Sequence, residues 1–147
     1  MRVAIFSDVH GNLTAMEAVL EDIKERYPDY VIFAGDLCAF GERPSQTLQF
    51  LREPKEALAL SGNTDQMIVN PPIETDRGTH PQDELLAFKR DTALWSRKQI
   101  GNEALQWLAT LPFSHSFSPT GKPEDDLLVV HANPKNEEDF IMPAPAE

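Results

Sequence analysis

The residues that could do chemistry in this 147-residue chain fall in four short polar blocks. They are Ser7-Asp8-Val9-His10-Gly11-Asn12, Gly35-Asp36, Ser61-Gly62-Asn63-Thr64-Asp65 and His131-Ala132-Asn133. Each type alone says little: Asp or Asn after a strand is commonly a turn residue, and a lone His is more often structural than a ligand. Their joint appearance, each block directly after an apolar run, is harder to dismiss. Carboxylate, imidazole and amide oxygen donors together suit Mn²⁺, Fe²⁺ or Zn²⁺ better than Ca²⁺ or a thiolate-bound structural zinc. Asp8 and His10, one residue apart in a tight turn, could reach one ion, and Asp36 could bridge two with its two oxygens. Two ions ~3.5–4 Å apart would hold and ionise a water for in-line attack on phosphorus. Gly11, Gly35 and Gly62 let the backbone turn sharply beside such ions.

The elements that must position these blocks alternate between strand and helix. Arg2 to Ser7 is apolar on both alternating faces (Val3, Ala4, Ile5, Phe6), which predicts a strand buried on both sides of a parallel sheet. Leu13, Met16, Val19, Leu20 and Ile23 recur at helical spacing, so residues 13–26 read as an amphipathic helix. Tyr30 to Ala34 is a second buried strand. Arg43-Pro44-Ser45 opens a helix through Leu51, with Pro44 suited to the first turn. Ala57 to Leu60 is a third short strand. This β-α-β-α-β order predicts an α/β fold with parallel strands. The polar blocks then follow carboxyl ends of strands and meet along one edge, where open α/β sheets hold ligands.

Farther along, 70–82 reads as a loop flanking the site. Asp83 to Ile100 and Glu103 to Leu111 read as helices separated by Gly101-Asn102. Phe113 to Phe117 and Leu127 to His131 read as strands around a Pro119–Asp126 turn. Trp95 and Trp107 fall in the helical stripes and are expected in the core.

The blocks Asp8-x-His10, Gly35-Asp36, Gly62-Asn63-x-Asp65 and strand-borne His131 resemble the calcineurin-like metallophosphoesterase superfamily, in its small prokaryotic phosphoesterase branch. The resemblance runs from Met1 to about Pro143. It implies a metallophosphoesterase-type αββα sandwich, with 1–147 forming a single domain. It implies two divalent ions, Mn²⁺ first, with Fe²⁺, Zn²⁺, Ni²⁺ or Mg²⁺ as alternatives. Asp8, His10 and Asp36 would bind the first ion, and Asp36, Asn63 and His131 the second. A bridging hydroxide would attack a phosphomonoester or phosphodiester, with Asn63 stabilising charge on the phosphoryl oxygens. Asp65 would orient a neighbouring group. Asn12 could touch substrate phosphate, although a helix N-cap accounts for it at least as well.

Two departures from the family pattern stand out. Thr64 occupies the place where the commoner form carries a His, the usual proton donor to the leaving group, so the general acid is unassigned. The family also closes its site with a Gly-His-x-His block, and in this sequence no histidine follows His131. The expectation is therefore a C-terminally truncated domain with an incomplete second sheet, open to self-association at its edge. A non-catalytic or partner-dependent fragment is the rival to an active hydrolase.

Composition narrows the alternatives. The 13 Lys+Arg against 24 Asp+Glu leave −11, which argues against a broad nucleic-acid surface or an anionic membrane. It permits a small phosphate ester where bound cations reverse the local sign. The single cysteine, Cys38, fits a reducing, cytoplasmic setting. There is no Gly-x-Gly-x-x-Gly, Walker or Gly-x-Ser-x-Gly motif. His80, Arg43, Lys135 and the Glu137-Glu138-Asp139 run are read as surface residues, and His115, on the strand with Phe113 and Phe117, is not expected in the site.

Overall fold

The computed structural model describes residues 1–52, 58–72 and 81–139. Strand β1 (Val3–Phe6), β2 (Tyr30–Phe33) and β3 (Leu58–Ala59) form a parallel sheet in the order β1-β2-β3. Val3 lies opposite Tyr30 and Phe6 opposite Phe33 in the register. Helix α1 (Leu13–Arg26) joins the first two strands, and α2 (Pro44–Arg52) leads toward the third. Helices α3 (Asn63–Val69) and α4 (Pro81–Leu108) follow, then β4 (Ser114–Phe117), a 3₁₀ turn at Pro123–Asp125 and β5 (Leu127–Val130). The last two strands make an antiparallel pair, with Phe117 opposite Leu127.

Side-chain alternation along β2 divides the interior in two. Phe33 faces the helices and packs with Met16, Leu37, Leu48, Ile68 and Leu108. Ile32 faces the other way, joining Ala34, Leu60 and Val129 between the two sheets. The layers thus run helices, parallel sheet, antiparallel pair, as expected for the αββα sandwich, and the second sheet has two strands among the described residues. Tyr30 and Phe117 meet edge to face at 4.5 Å and tie the sheets together.

Local rules explain most boundaries. Asn12 caps α1 by accepting the Ala15 N–H at 3.0 Å. Pro44 sits in the first turn of α2. Gly101 (φ 76°, ψ 173°) breaks the helical backbone inside α4, at the position where Gly101-Asn102 predicts a stop.

Four expectations need correction. Residues 63–69 have no predicted element, yet they form α3. Its apolar residues are too few for a periodic signal. The strand before His131 does not join the parallel sheet; it pairs antiparallel with β4. The first strand is not buried on both sides, since Ile5 is half exposed. Trp95 is not core: it stands on the outer side of α4, 43% exposed, with Leu85 and Phe88. Helical spacing identifies a stripe but not whether a neighbour covers it. The third strand begins at Leu58; Ala57, most of the 70–82 loop and His80 lie outside the described residues. Among the described residues no helix is long and apolar enough to cross a membrane.

Candidate metal centre

The loops after β1 and β2 run side by side and are joined by backbone hydrogen bonds. Asp8 N–H donates to Gly35 O at 3.0 Å, His10 N–H to Asp36 O at 3.0 Å and Gly11 N–H to Leu37 O at 2.7 Å. Asp8, His10 and Asp36 all adopt left-handed backbone (φ 57°, 51° and 66°). Asp and His tolerate this region better than most residues. The turns aim their side chains at a common point. Ligand atoms of Asp8, His10 and Asp36 lie within 4.8 Å of one another.

Asp36 is the hub. Its carboxylate is almost fully buried, yet its oxygens face two different imidazoles. Oδ2 lies 3.6 Å from His10 Nε2. Oδ1 lies 3.6 Å from His131 Nε2 and accepts the Thr64 N–H at 3.0 Å. His10 Nε2 is also 3.6 Å from Asp8 Oδ1. These gaps are too long for hydrogen bonds. They lie just above the ~3.0–3.5 Å between neighbouring ligand atoms around an ion with bonds of about 2.1 Å.

His131 reaches this edge from β5, across the gap between the sheets. Its Nδ1–H donates to Ala34 O at 2.8 Å, because a carbonyl can only accept. In the neutral ring Nε2 then carries a lone pair. It lies 3.1 Å from Asn63 Oδ1 as well as beside Asp36 Oδ1. In that tautomer Nε2, Asn63 Oδ1 and Asp36 Oδ1 all offer lone pairs to one point, which suits a cation. The backbone carbonyl on the far side of the imidazole is the usual device for orienting a ligating His. The donor set therefore fits divalent metal ions on both sides of Asp36. His10 Nδ1, by contrast, is buried without a hydrogen-bond partner among the described residues.

Asp65 is fully buried and turned away from the cluster. Its carboxylate accepts N–H bonds from Asp36 (2.8 Å), Leu37 (3.0 Å) and Gly62 (3.1 Å). Burial pushes its carboxyl up to about 6, against the downward pull of those three donors. Gly62 is required for space. A Cβ there would sit 2.1 Å from Asp36 Oδ1. Cys38 is buried beside the site loop, and burial pushes its thiol well above the ordinary value.

The structure thus brings Asp8, His10, Asp36, Asn63 and His131 together, with Asp65 behind them. Asn12 Oδ1 is engaged as the α1 cap. Arg43 is exposed beside Glu42, and Lys135 lies in the loop organised by Asn133. Sequence reasoning missed two neighbours of the cluster. Phe40 lies 5.3 Å from the His10 ring, and Phe88 stacks on Phe40 at 5.9 Å. The only sequence signal was an aromatic residue directly before Gly41.

Comparison with known proteins gives a consistent result. Residues 1–144 match the model of the calcineurin-like phosphoesterase family. The archaeal protein MJ0912 of Methanocaldococcus jannaschii is 31% identical over 143 residues, covering 96% of this chain and 54% of that protein. Phosphodiesterase YfcE of Escherichia coli K12 is 27% identical over 150 residues, covering 91% of this chain and 78% of its own. The crystal structure of a metallophosphoesterase from Sphaerobacter thermophilus superposes with a TM-score of 0.71 at 28% identity. It covers 96% of this chain and 51% of that one. The chain therefore spans about half the length of MJ0912 and of the Sphaerobacter protein.

Proposed function

Because the chain belongs to the calcineurin-like phosphoesterase family, we propose that its five clustered donors bind two divalent ions and that the site hydrolyses a phosphomonoester or phosphodiester. The observation that carries this reading is Asp36, with its two oxygens each 3.6 Å from a different histidine. Asp8, His10 and Asp36 would hold one ion; Asp36, Asn63 and His131 would hold the other. When bound, the ions would supply an activated water for attack on phosphorus and neutralise charge on the phosphoryl oxygens.

The chain's own residues do the rest. Asp36 sets the spacing between the two halves of the site. Asn63 adds a polar amide beside the phosphoryl group, and Asn12 borders the substrate approach. Asp65 holds the Asp36 turn through the backbone. A threonine hydroxyl does not protonate a leaving group near neutral pH, so Thr64 favours substrates whose leaving group is stable as an anion. A relative with phosphodiesterase activity supports diester chemistry. Mn²⁺ is the first choice of ion, because mixed oxygen and imidazole donors accept several first-row metals. A lone buried thiol fits action in the cytoplasm. Exposed Leu127 and Leu128 on β5 offer apolar surface of the second sheet for self-association.

The test is an assay of the purified chain with chromogenic mono- and diesters and added Mn²⁺. A metal-dependent rate that disappears in Asp36→Asn supports the proposal. A folded sample with no metal-dependent rate on either ester overturns it for this chain.

A further inference from the structure

Two aromatic rings beside the metal centre have no role in the chemistry above. Phe40 has φ 73°, in the left-handed region. A bulky side chain is an outlier there, and such strain persists where surrounding structure imposes it, commonly at functional sites. The strained turn directs the Phe40 ring against His10, with centroids 5.3 Å apart. On its other side Phe40 meets Phe88 of α4, nearly parallel, with an interplanar angle of 7°. At a centroid distance of 5.9 Å the two rings overlap only in part, so ring surface stays open. Both side chains face solvent, Phe40 at 44% and Phe88 at 58% exposure. Each ring still leaves about half of its surface in water, so packing alone uses only part of it.

From this juxtaposition we propose that Phe40 and Phe88 form a stacking shelf that selects phosphate esters carrying a planar ring, an aryl group or a nucleobase. The inference rests on the phosphoesterase reading of the same site. With the phosphate at the Asp36 cluster, the shelf begins at Phe40, beside the His10 ring. A flat substituent gains π-surface there, whereas an alkyl substituent gains little. The aryl member of this class also agrees with Thr64, because an aryl oxygen leaves without a strong acid.

Binding to the Mn²⁺-loaded chain tests this with three probes: phenyl phosphate, adenosine 5′-monophosphate and methyl phosphate. Titration calorimetry should show both ring-bearing probes binding more tightly than methyl phosphate. Phe88→Ala should weaken them about 5- to 30-fold, the usual range for one lost stacking contact. Methyl phosphate should change less than about twofold, and Phe88→Trp should restore ring binding. Phe88 is largely exposed, so the substitution spares the fold. The tighter of the two ring probes identifies a nucleotide or a simple aryl ester as the preferred class. If all three probes bind equally and Phe88→Ala alters none, the shelf is overturned while the phosphoesterase reading stands. If Phe88→Ala changes only the oligomeric state, the pair is a contact between copies and the proposal fails. If no phosphate binds with metal present, both readings fall.

Discussion

Asp65 holds Asp36 without touching its side chain: its carboxylate accepts the Asp36 backbone N–H at 2.8 Å. The same carboxylate takes the N–H groups of Leu37 and Gly62. One buried acid thus clamps the turn after β2 to the start of α3. Asp36 and Asn63, two of the three donors of the proposed second half-site, come from those two segments.

Replacing Asp65 by Asn should be costly. The amide nitrogen would face at least one backbone N–H and leave it unpaired, at about 1–3 kcal/mol per buried group. Urea denaturation of Asp65→Asn should show an unfolding free energy lower by that amount. Metal affinity should fall about 10- to 100-fold, the usual consequence of losing an orienting partner.

The same group predicts a pH dependence for the metal-free protein. Burial raises the Asp65 carboxyl from 3.8 to about 6. The folded state therefore holds this proton more tightly than the unfolded chain does. Its contribution to stability is fully present below about 4 and is lost as pH rises through about 6, a difference of ~3 kcal/mol. Carboxyl-carbon NMR in the presence of chelator should place the Asp65 midpoint near 6. A midpoint at or below 4 would show that the three N–H donors outweigh burial.

Gly62→Ala should disable the site with little change in helix content. The new methyl carbon would lie 2.1 Å from Asp36 Oδ1 and 2.6 Å from its backbone nitrogen. Asp36 must move, and both half-sites lose their shared ligand. Calorimetric Mn²⁺ titration should show binding at both sites weakened at least tenfold, against near-normal far-UV circular dichroism.

His131 and Asp36 should differ in metal stoichiometry. His131→Ala removes a donor from the Asn63 side alone, leaving Asp8, His10 and Asp36 together. One Mn²⁺ should remain bound at near-native affinity. Asp36→Asn should weaken both. Equal losses in the two variants would contradict two separate half-sites bridged by Asp36.

Much of this arrangement was legible in local sequence. Asp8-x-His10, Gly35-Asp36 and Gly62-Asn63 follow directly from short apolar runs, so strand and turn rules place them at one sheet edge. The helix at Asn63–Val69 was not legible, because seven residues seldom carry a periodic apolar stripe. Trp95 looked like core because spacing reports a stripe without its cover. Phe40 and Phe88 lie 48 positions apart, and nothing local links an aromatic in a turn to one on α4.

By itself, the sequence determined the donor types, their order and the turns that carry them. Those are local properties, set by backbone preferences within a few residues. Tertiary structure alone decided that His131 arrives from a second sheet. It also decided which oxygen of Asp36 faces which imidazole. That choice depends on a hydrogen bond from His131 to Ala34, across 97 positions of chain. Such convergence is produced by the packing of Ile32, Leu60 and Val129 between the sheets, a long-range hydrophobic contact that no local pattern encodes.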